Sequence, residues 1–267
     1  MINTTTAPAA DRSLSVFIDG EEIAQGCHIR LDASFILYAF QPPAVLDIWN
    51  LSESSRWKLM SAKDIQVCHD HDILAFGGIS EVVTRVEKNG FVTRVTFFPS
   101  RYLMQSAISL TVPAGTSAAD TVRQILAKSG TGLELLGWQG NNPVIVRPQS
   151  FFSRAAFAID EVCKSAGVKV AYSPQGIWTV PNDFDEAIDC DLPRYHLSAM
   201  HYHISPNIHD DVAVLTLDPA GWRVGQWLEF QDEDEPDSEY SGLIVNHQVV
   251  ADNMDGLWTS MLTVKIN

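Results

Sequence analysis

Asn89-Gly90, set between the alternating runs Val82–Lys88 and Phe91–Phe98, constrains the fold more than any other feature of this sequence. A tight two-residue turn of this type needs positive φ at its centre, and Asn-Gly meets that need at low cost. A turn on these two residues sets Lys88 opposite Phe91, Val86 opposite Thr93, Thr84 opposite Val95 and Val82 opposite Phe97. That face is apolar and predicts burial. The other face carries Arg85, Glu87 and Arg94, with the two arginines opposed and Glu87 as the nearby carboxylate. The reading is a one-sided antiparallel sheet with no nucleophile, base or phosphate loop in it.

The surrounding residues extend this sheet. Val45–Trp49 is a short apolar run that ends in Asn50-Leu51-Ser52, and Ser52 is placed to cap a helix over Glu53–Met60. Asp64–Cys68 and Ile73–Ile79 read as strands joined by the polar His69-Asp70-His71-Asp72. Upstream, Leu14–Ile18 and Glu22–Leu31 read as strands around Asp19-Gly20, and Ser34–Phe40 alternates until Pro42-Pro43. Ser106–Val112 reads as the last strand of this first unit.

From Thr116 the periodicity becomes helical. Ser117 and Asp120 resemble a capping box, Ala118, Val122, Ile125 and Leu126 share one face, and Gly130 ends the helix. A second helix, about 153–166, ends at Gly167, and Val168–Tyr172 with Ile177–Val180 forms a hairpin. Asp183–Asp191 reads as an acidic linker. Beyond it Leu197–Ser205, Asp211–Leu217, Trp222–Phe230, Tyr240–Val250 and Leu257–Ile266 return to strand, with the carboxylate-rich Gln231–Glu239 as a solvated loop. The expectation is a mainly β chain with an α/β insertion: an N-terminal arm (1–13), a β unit (14–112), the insertion (113–190) and a second β unit (191–267).

Charge narrows the function. The chain of 267 residues carries 18 Lys+Arg against 33 Asp+Glu, a formal net charge of −15, and no basic run, which argues against general nucleic-acid binding. Cys27, Cys68, Cys163 and Cys190 have no CxxC spacing, so reduced thiols are the expectation. Met1–Ser13 lacks the apolar core of a signal peptide, and no run is long enough to span a membrane as a helix.

Several polar groups merit weighing as sites. His201-Tyr202-His203 puts two imidazoles on one strand face, His209-Asp210-Asp211 offers further ligands, and Cys68-His69-Asp70-His71-Asp72 is rich in donors. Solvated or hydrogen-bonded histidines explain the first two, and a polar turn explains the third. Asp232-Glu233-Asp234-Glu235 lacks the D-x-D-x-D-G spacing of a calcium loop and is followed by Pro236, so it reads as solvated charge. No G-x-S-x-G, P-loop or H-E-x-x-H motif is present, and the seven tryptophans are spread through both halves as core anchors. No catalytic, cofactor-binding or metal-binding residue is assigned, and no cofactor is expected.

The order of elements resembles a known family. Ile48-Trp49-Asn50-Leu51-Ser52, then Leu74-Ala75-Phe76-Gly77-Gly78-Ile79 and Val82–Val86, is similar to the I-x-N-L-S … L-F-x-G-x-I-x-x-V signature of baseplate hub proteins of bacteriophage tails. Thr116–Lys128 resembles the G-T-T-x-x-D-V-L segment that follows it there. Leu217-Asp218-Pro219, Val224–Leu228, Gly242–His247 and Leu257-Trp258-Thr259 resemble the closing barrel. The resemblance covers nearly the whole chain. It implies two tail-tube-like antiparallel β-barrels flanking the insertion, and a homotrimer that adapts the sixfold tail tube to the threefold spike and forms part of the DNA channel. Implied partners are the tail tube or distal tail protein, the central spike protein and the tape measure protein, with DNA passing without tight binding and no membrane contact. The implied location is the virion baseplate, after assembly in the host bacterial cytoplasm. No room is left for a hydrolase domain, so an enzyme is not expected. The alternatives are a β-sandwich receptor- or carbohydrate-binding tail module and a hexameric tube or adaptor protein.

Overall fold

A computed structural model describes residues 12–88, 90–183, 194–197, 207–209, 211–231, 239–254 and 256–266. The chain opens with β1 (Ser15–Ile18), the two-residue β2 (Glu21–Glu22), β3 (Ile29–Ile36) and β4 (Ala44–Trp49). β3 absorbs the start of what reads in sequence as a separate run from Ser34. Helix α1 (Glu53–Ser61) follows, its first turn capped by the Ser52 hydroxyl, which accepts from Ser55 N–H at 3.1 Å. β5 (Asp64–His69) and β6 (Asp72–Glu87) turn at Asp70, whose φ is 51°. β6 is a single strand of 16 residues, joining two runs that read separately in the sequence. β7 (Gly90–Phe98) completes this meander.

The β6–β7 register differs from the sequence reading. Glu87 pairs with Gly90, Val86 with Phe91, Thr84 with Thr93 and Val82 with Val95, so Gly90 belongs to the ladder and not to the turn; Asn89 lies outside the described residues. Arg85 faces Val92 rather than Arg94. The cause is a third strand. At the end of β4, Asn50 N–H donates to Phe91 C=O at 2.8 Å, and Asn50 Oδ1 accepts from Phe91 N–H at 3.2 Å. Gly90, at φ 137°, lies so close to this carboxamide that a Cβ would collide with it. Arg94 finds its carboxylate on β4 as well: Nε and Nη2 donate to the two oxygens of Asp47 at 2.8 and 2.7 Å. That bidentate pair holds the Arg94 guanidinium firmly protonated.

The middle of the chain holds α2 (Arg101–Gln105), β8 (Ala107–Val112), α3 (Ala118–Ser129), β9 (Glu134–Gly137), β10 (Gln149–Arg154), α4 (Ala155–Ala166), β11 (Val168–Ser173) and β12 (Gly176–Pro181). β8, read in sequence as the last strand of the first unit, pairs instead with β10 in a two-stranded ribbon, because Ile108 and Phe151 bury on its inner face beside the helices. At α3, Ser117 Oγ accepts from Asp120 N–H, so the hydroxyl half of the box forms, but the Asp120 carboxylate accepts from the Ser117 hydroxyl and not from its backbone N–H; Gly130 and Gly167 end α3 and α4 in the left-handed region. β11, β12 and β9 form a three-stranded sheet with β12 central.

The last part supplies β13 (Arg194–Leu197), β14 (Asn207–His209), β15 (Val212–Leu217), β16 (Trp227–Gln231), β17 (Glu239–Asp252) and β18 (Trp258–Ile266). The segment from Trp222 to Gln226, read in sequence as strand, is a bend under the insertion sheet. Gly225, at φ 83°, sits where a Cβ would meet Trp178 and Val180 at 2.8 Å. Thirteen of the described strands belong to one sheet, in the order β14-β15-β18-β17-β3-β4-β7-β6-β5-β1-β2, with β16 also beside β17 and β13 beside β16. One apolar cluster runs through the molecule, with Phe97, Leu46 and Ile29 from one end and Phe230, Leu262 and Val264 from the other. Full burial of each such side chain contributes roughly 1.5–3 kcal/mol.

The sheet contains the same five strands twice. β3-β4-β7-β6-β5 and β14-β15-β18-β17-β16 have one order and one pattern of connections, and every adjacent pair within them is antiparallel. Matching details fix the correspondence residue by residue. The β6–β7 ladder shifts between Ile79 and Glu81, and the β17–β18 ladder shifts between Ile244 and Asn246. Ile79 N–H donates to Lys63 C=O and Ile244 N–H to Gln226 C=O, both at 2.9 Å. Ile79 therefore corresponds to Ile244, and the ends of the two long strands, Glu87 and Asp252, correspond as well.

Candidate assembly surface

The two copies of this five-strand unit meet at one seam. Beyond its bulge β17 leaves β16 and pairs with β3, from Asn246 opposite Ile36 to Asp252 opposite Arg30. The seam is clasped at one end by side chains far apart in sequence. Asn253 Oδ1 accepts from Ile29 N–H at 2.8 Å, and its amide donates to Cys27 C=O at 3.0 Å. His28 Nε2 lies 2.9 Å from Asp252 Oδ1, and the His28 ring stacks on Trp49 at 4.0 Å between centroids. Burial works against the Asp252 charge, but Met254 N–H, His28 and Gly256 N–H outweigh it and hold the carboxyl below the usual aspartate range. Inside the seam His247 Nε2 lies 3.0 Å from Ser260 Oγ, and the imidazole lies 5.9 Å from the Phe35 ring. Burial, and then the Arg223 charge, push the His247 pKa down to about 3, so the ring is neutral.

The counterpart of this seam on the first unit is open. β5 accompanies β6 only as far as Gly78. From Ser80 to Glu87, among the described residues, β6 has a partner on the β7 side alone. Val86 is 79% exposed here, and Phe91 across the hairpin is 45% exposed, although the alternation in sequence predicts that both are buried. Trp57 and Met60 of α1 are also exposed, and Arg56 lies 5.1 Å above the Phe91 ring. At the other end of the sheet β14 is the last strand among the described residues. Exposed edges of this kind need a partner, a cover or charge.

Among the described residues, the polar groups weighed in the sequence do not converge. His201-Tyr202-His203, Asp210 and residues 232–238 lie outside the described residues, as does the side chain of His209. In the β5–β6 turn the His69 ring edge faces Trp258 at 5.0 Å and Nδ1 lies 2.8 Å from Ser13 C=O, so it joins strands. Among the described residues no three His, Cys, Asp or Glu side chains group as metal ligands. Burial raises the pKa of Cys27, Cys68 and Cys163, which leaves them as thiols. Trp57 departs from its expected role as a core anchor, because it lies on the outside of α1. The seam residues His28, Asp252 and Asn253 were not singled out in the sequence; the traceable signal is the shared alternation of 72–87 and 239–252.

No family model matches the sequence, and no curated protein matches it. Solved structures do match its fold, which is that of phage tail proteins. A tail protein from Neisseria meningitidis MC58 superposes with a TM-score of 0.63 at 14% identity, over 94% of this chain and 95% of its own. The Escherichia coli c3393 protein, a component of the type VI secretion system with structural similarity to the T4 bacteriophage tail proteins gp27 and gp5, gives 0.67 at 11% identity, over 94% and 76%. The 43 kDa tail protein of prophage MuSo2 from Shewanella oneidensis gives 0.62 at 10% identity, over 95% and 96%. At these identities the likeness establishes the fold.

Proposed function

We propose that this chain is the baseplate hub of a phage tail, a structural virion protein without enzymatic activity. The observation that carries the reading is the five-strand unit repeated within one sheet and joined along an edge. A chain that presents one unit twice makes six positions from three copies, which matches a sixfold tube to a threefold spike. In this reading the chain is divided as an arm (1–13), a first tube-like unit (14–112), an insertion (113–190) and a second tube-like unit (191–267). The homotrimeric ring sits in the baseplate between the tail tube or distal tail protein and the central spike, with the tape measure protein and then DNA passing through it. The net charge of −15 suits a channel that must not hold phosphate.

Mass photometry and negative-stain imaging of the purified protein test this. The expected particle is a ring with a central hole and a mass three times that of the 29.5 kDa subunit. A monomer that no tube or spike protein assembles would refute the ring and favour a binding module. A hexamer would replace the hub by a tube or adaptor protein.

A further inference from the structure

We propose that the open edge of β6 receives β14 of a second copy of this chain, antiparallel, in the register that β17 uses for β3 within the chain. The inference rests on the ring reading above and adds the surface and the register.

The argument is the internal repeat. β6 is the counterpart of β17, down to the position of its bulge, and β14 is the counterpart of β3. β17 and β3 are paired; β6 and β14 stand at open edges among the described residues. One type of seam, used inside each chain and again between chains, joins all units by equivalent contacts. Such a head-to-tail contact closes on itself when the rotation per step divides a full turn.

The repeat also sets the register. Ala44 opposite Phe97 corresponds to Ala213 opposite Val264, and Asp32 opposite Val45 then corresponds to Asn207 opposite Val214. Ala33 therefore corresponds to Ile208. Within the chain Val250, Val249 and Gln248 face Asp32, Ala33 and Ser34. Carried to the open edge, Arg85 faces Asn207, Thr84 faces Ile208 and Val83 faces His209 of the second copy. The exposure of Val86 has an account in the same terms: its counterpart Ala251 is fully buried beside the closed seam, whereas Val86 stands beside an open one.

Cross-strand disulfides test the register. The full-length double variant Thr84→Cys/Ile208→Cys is oxidised, run on a non-reducing gel, and followed in parallel by mass photometry. Expected is a covalent ladder of oligomers that collapses on reduction, absent from each single variant and from Thr84→Cys/His209→Cys, which is one residue out of the register. The single variants also control for the native cysteines. A second variant, Val86→Asp, alters a side chain that is exposed in the isolated chain; it is expected to leave the far-UV spectrum unchanged and raise the dissociation constant of the assembly at least tenfold. A ring that forms but yields no Thr84–Ile208 cross-link overturns this inference and leaves the ring reading standing. A wild-type protein that stays monomeric even when tube or spike protein is added overturns both.

Discussion

Acid should weaken this protein through one residue. His247 is fully buried in the seam, close to Phe35 and Ser260, and its pKa is pushed down to about 3 by burial and by Arg223. An unfolded histidine titrates near 6.5, so between these values the unfolded chain binds a proton that the folded chain refuses. The folded pKa is the depressed one, so the penalty is absent above about pH 6.5 and grows as the pH falls towards 3. Each pH unit inside the window costs about 1.4 kcal/mol, and from pH 7 to pH 5 the loss integrates to about 2 kcal/mol. That is a substantial share of a total stability of roughly 5–15 kcal/mol. The assay is urea unfolding at pH 7 and pH 5, at one protomer concentration, for the wild type and His247→Gln. Glutamine keeps an amide that can meet Ser260 and cannot titrate, so its own cost at pH 7 cancels in the comparison. The wild type is expected to lose about 2 kcal/mol more than the variant over this interval. Parallel pH profiles would refute the reasoning.

Gly90→Val drives a branched side chain into the Asn50 carboxamide, at a cost of about 1–3 kcal/mol; an unchanged melting temperature would show that Asn50 does not set the hairpin register. Ser117→Ala removes the cap of α3 and should cost about 1 kcal/mol in denaturant unfolding, and no measurable loss would contradict the role given to the hydroxyl. Duplex DNA should show no tight binding in a gel-shift assay at physiological salt; retention there would sink the reading of the acidic chain as a channel wall.

Local signals were legible wherever one short segment decides the outcome. Ser52 and Ser117 start helices because a hydroxyl meets an amide three residues on, and Gly167 ends one because it tolerates positive φ. What escaped depends on a third strand or a distant turn. The Asn-Gly signal located the β6–β7 hairpin, but the ladder closes at Glu87–Gly90 because Asn50 grips Phe91 from β4. The alternation of Val82, Thr84 and Val86 marked a face made for burial, yet one copy of the chain leaves Val86 exposed. The partner of β8 lies more than thirty residues away on β10. The seam clasp was illegible for the same reason: His28 and Asp252 stand at opposite ends of the sequence, and neither marks the other.

The two long strands are alike in geometry and unlike in chemistry, and the difference follows from when each edge is closed. β17 lays His247, Val249 and Ala251 into the interior and is pinned to β3 by Asn253 and the His28–Asp252 contact, all within one chain. Its edge closes as the chain folds, so it has no need of solubility. At the corresponding positions β6 carries Val82, Thr84 and Val86, flanked by Glu81, Arg85, Glu87 and, in the turn, Lys88. Charges of both signs along an unpaired edge discourage pairing with an arbitrary strand, because a mismatched neighbour leaves them desolvated or opposed to like charge. An edge that waits for a second copy in solution needs this protection, and a matched partner strand in one fixed register can still be accepted. By this logic the β6 edge is built for a contact made after folding, while the β17 edge is built for one made during it.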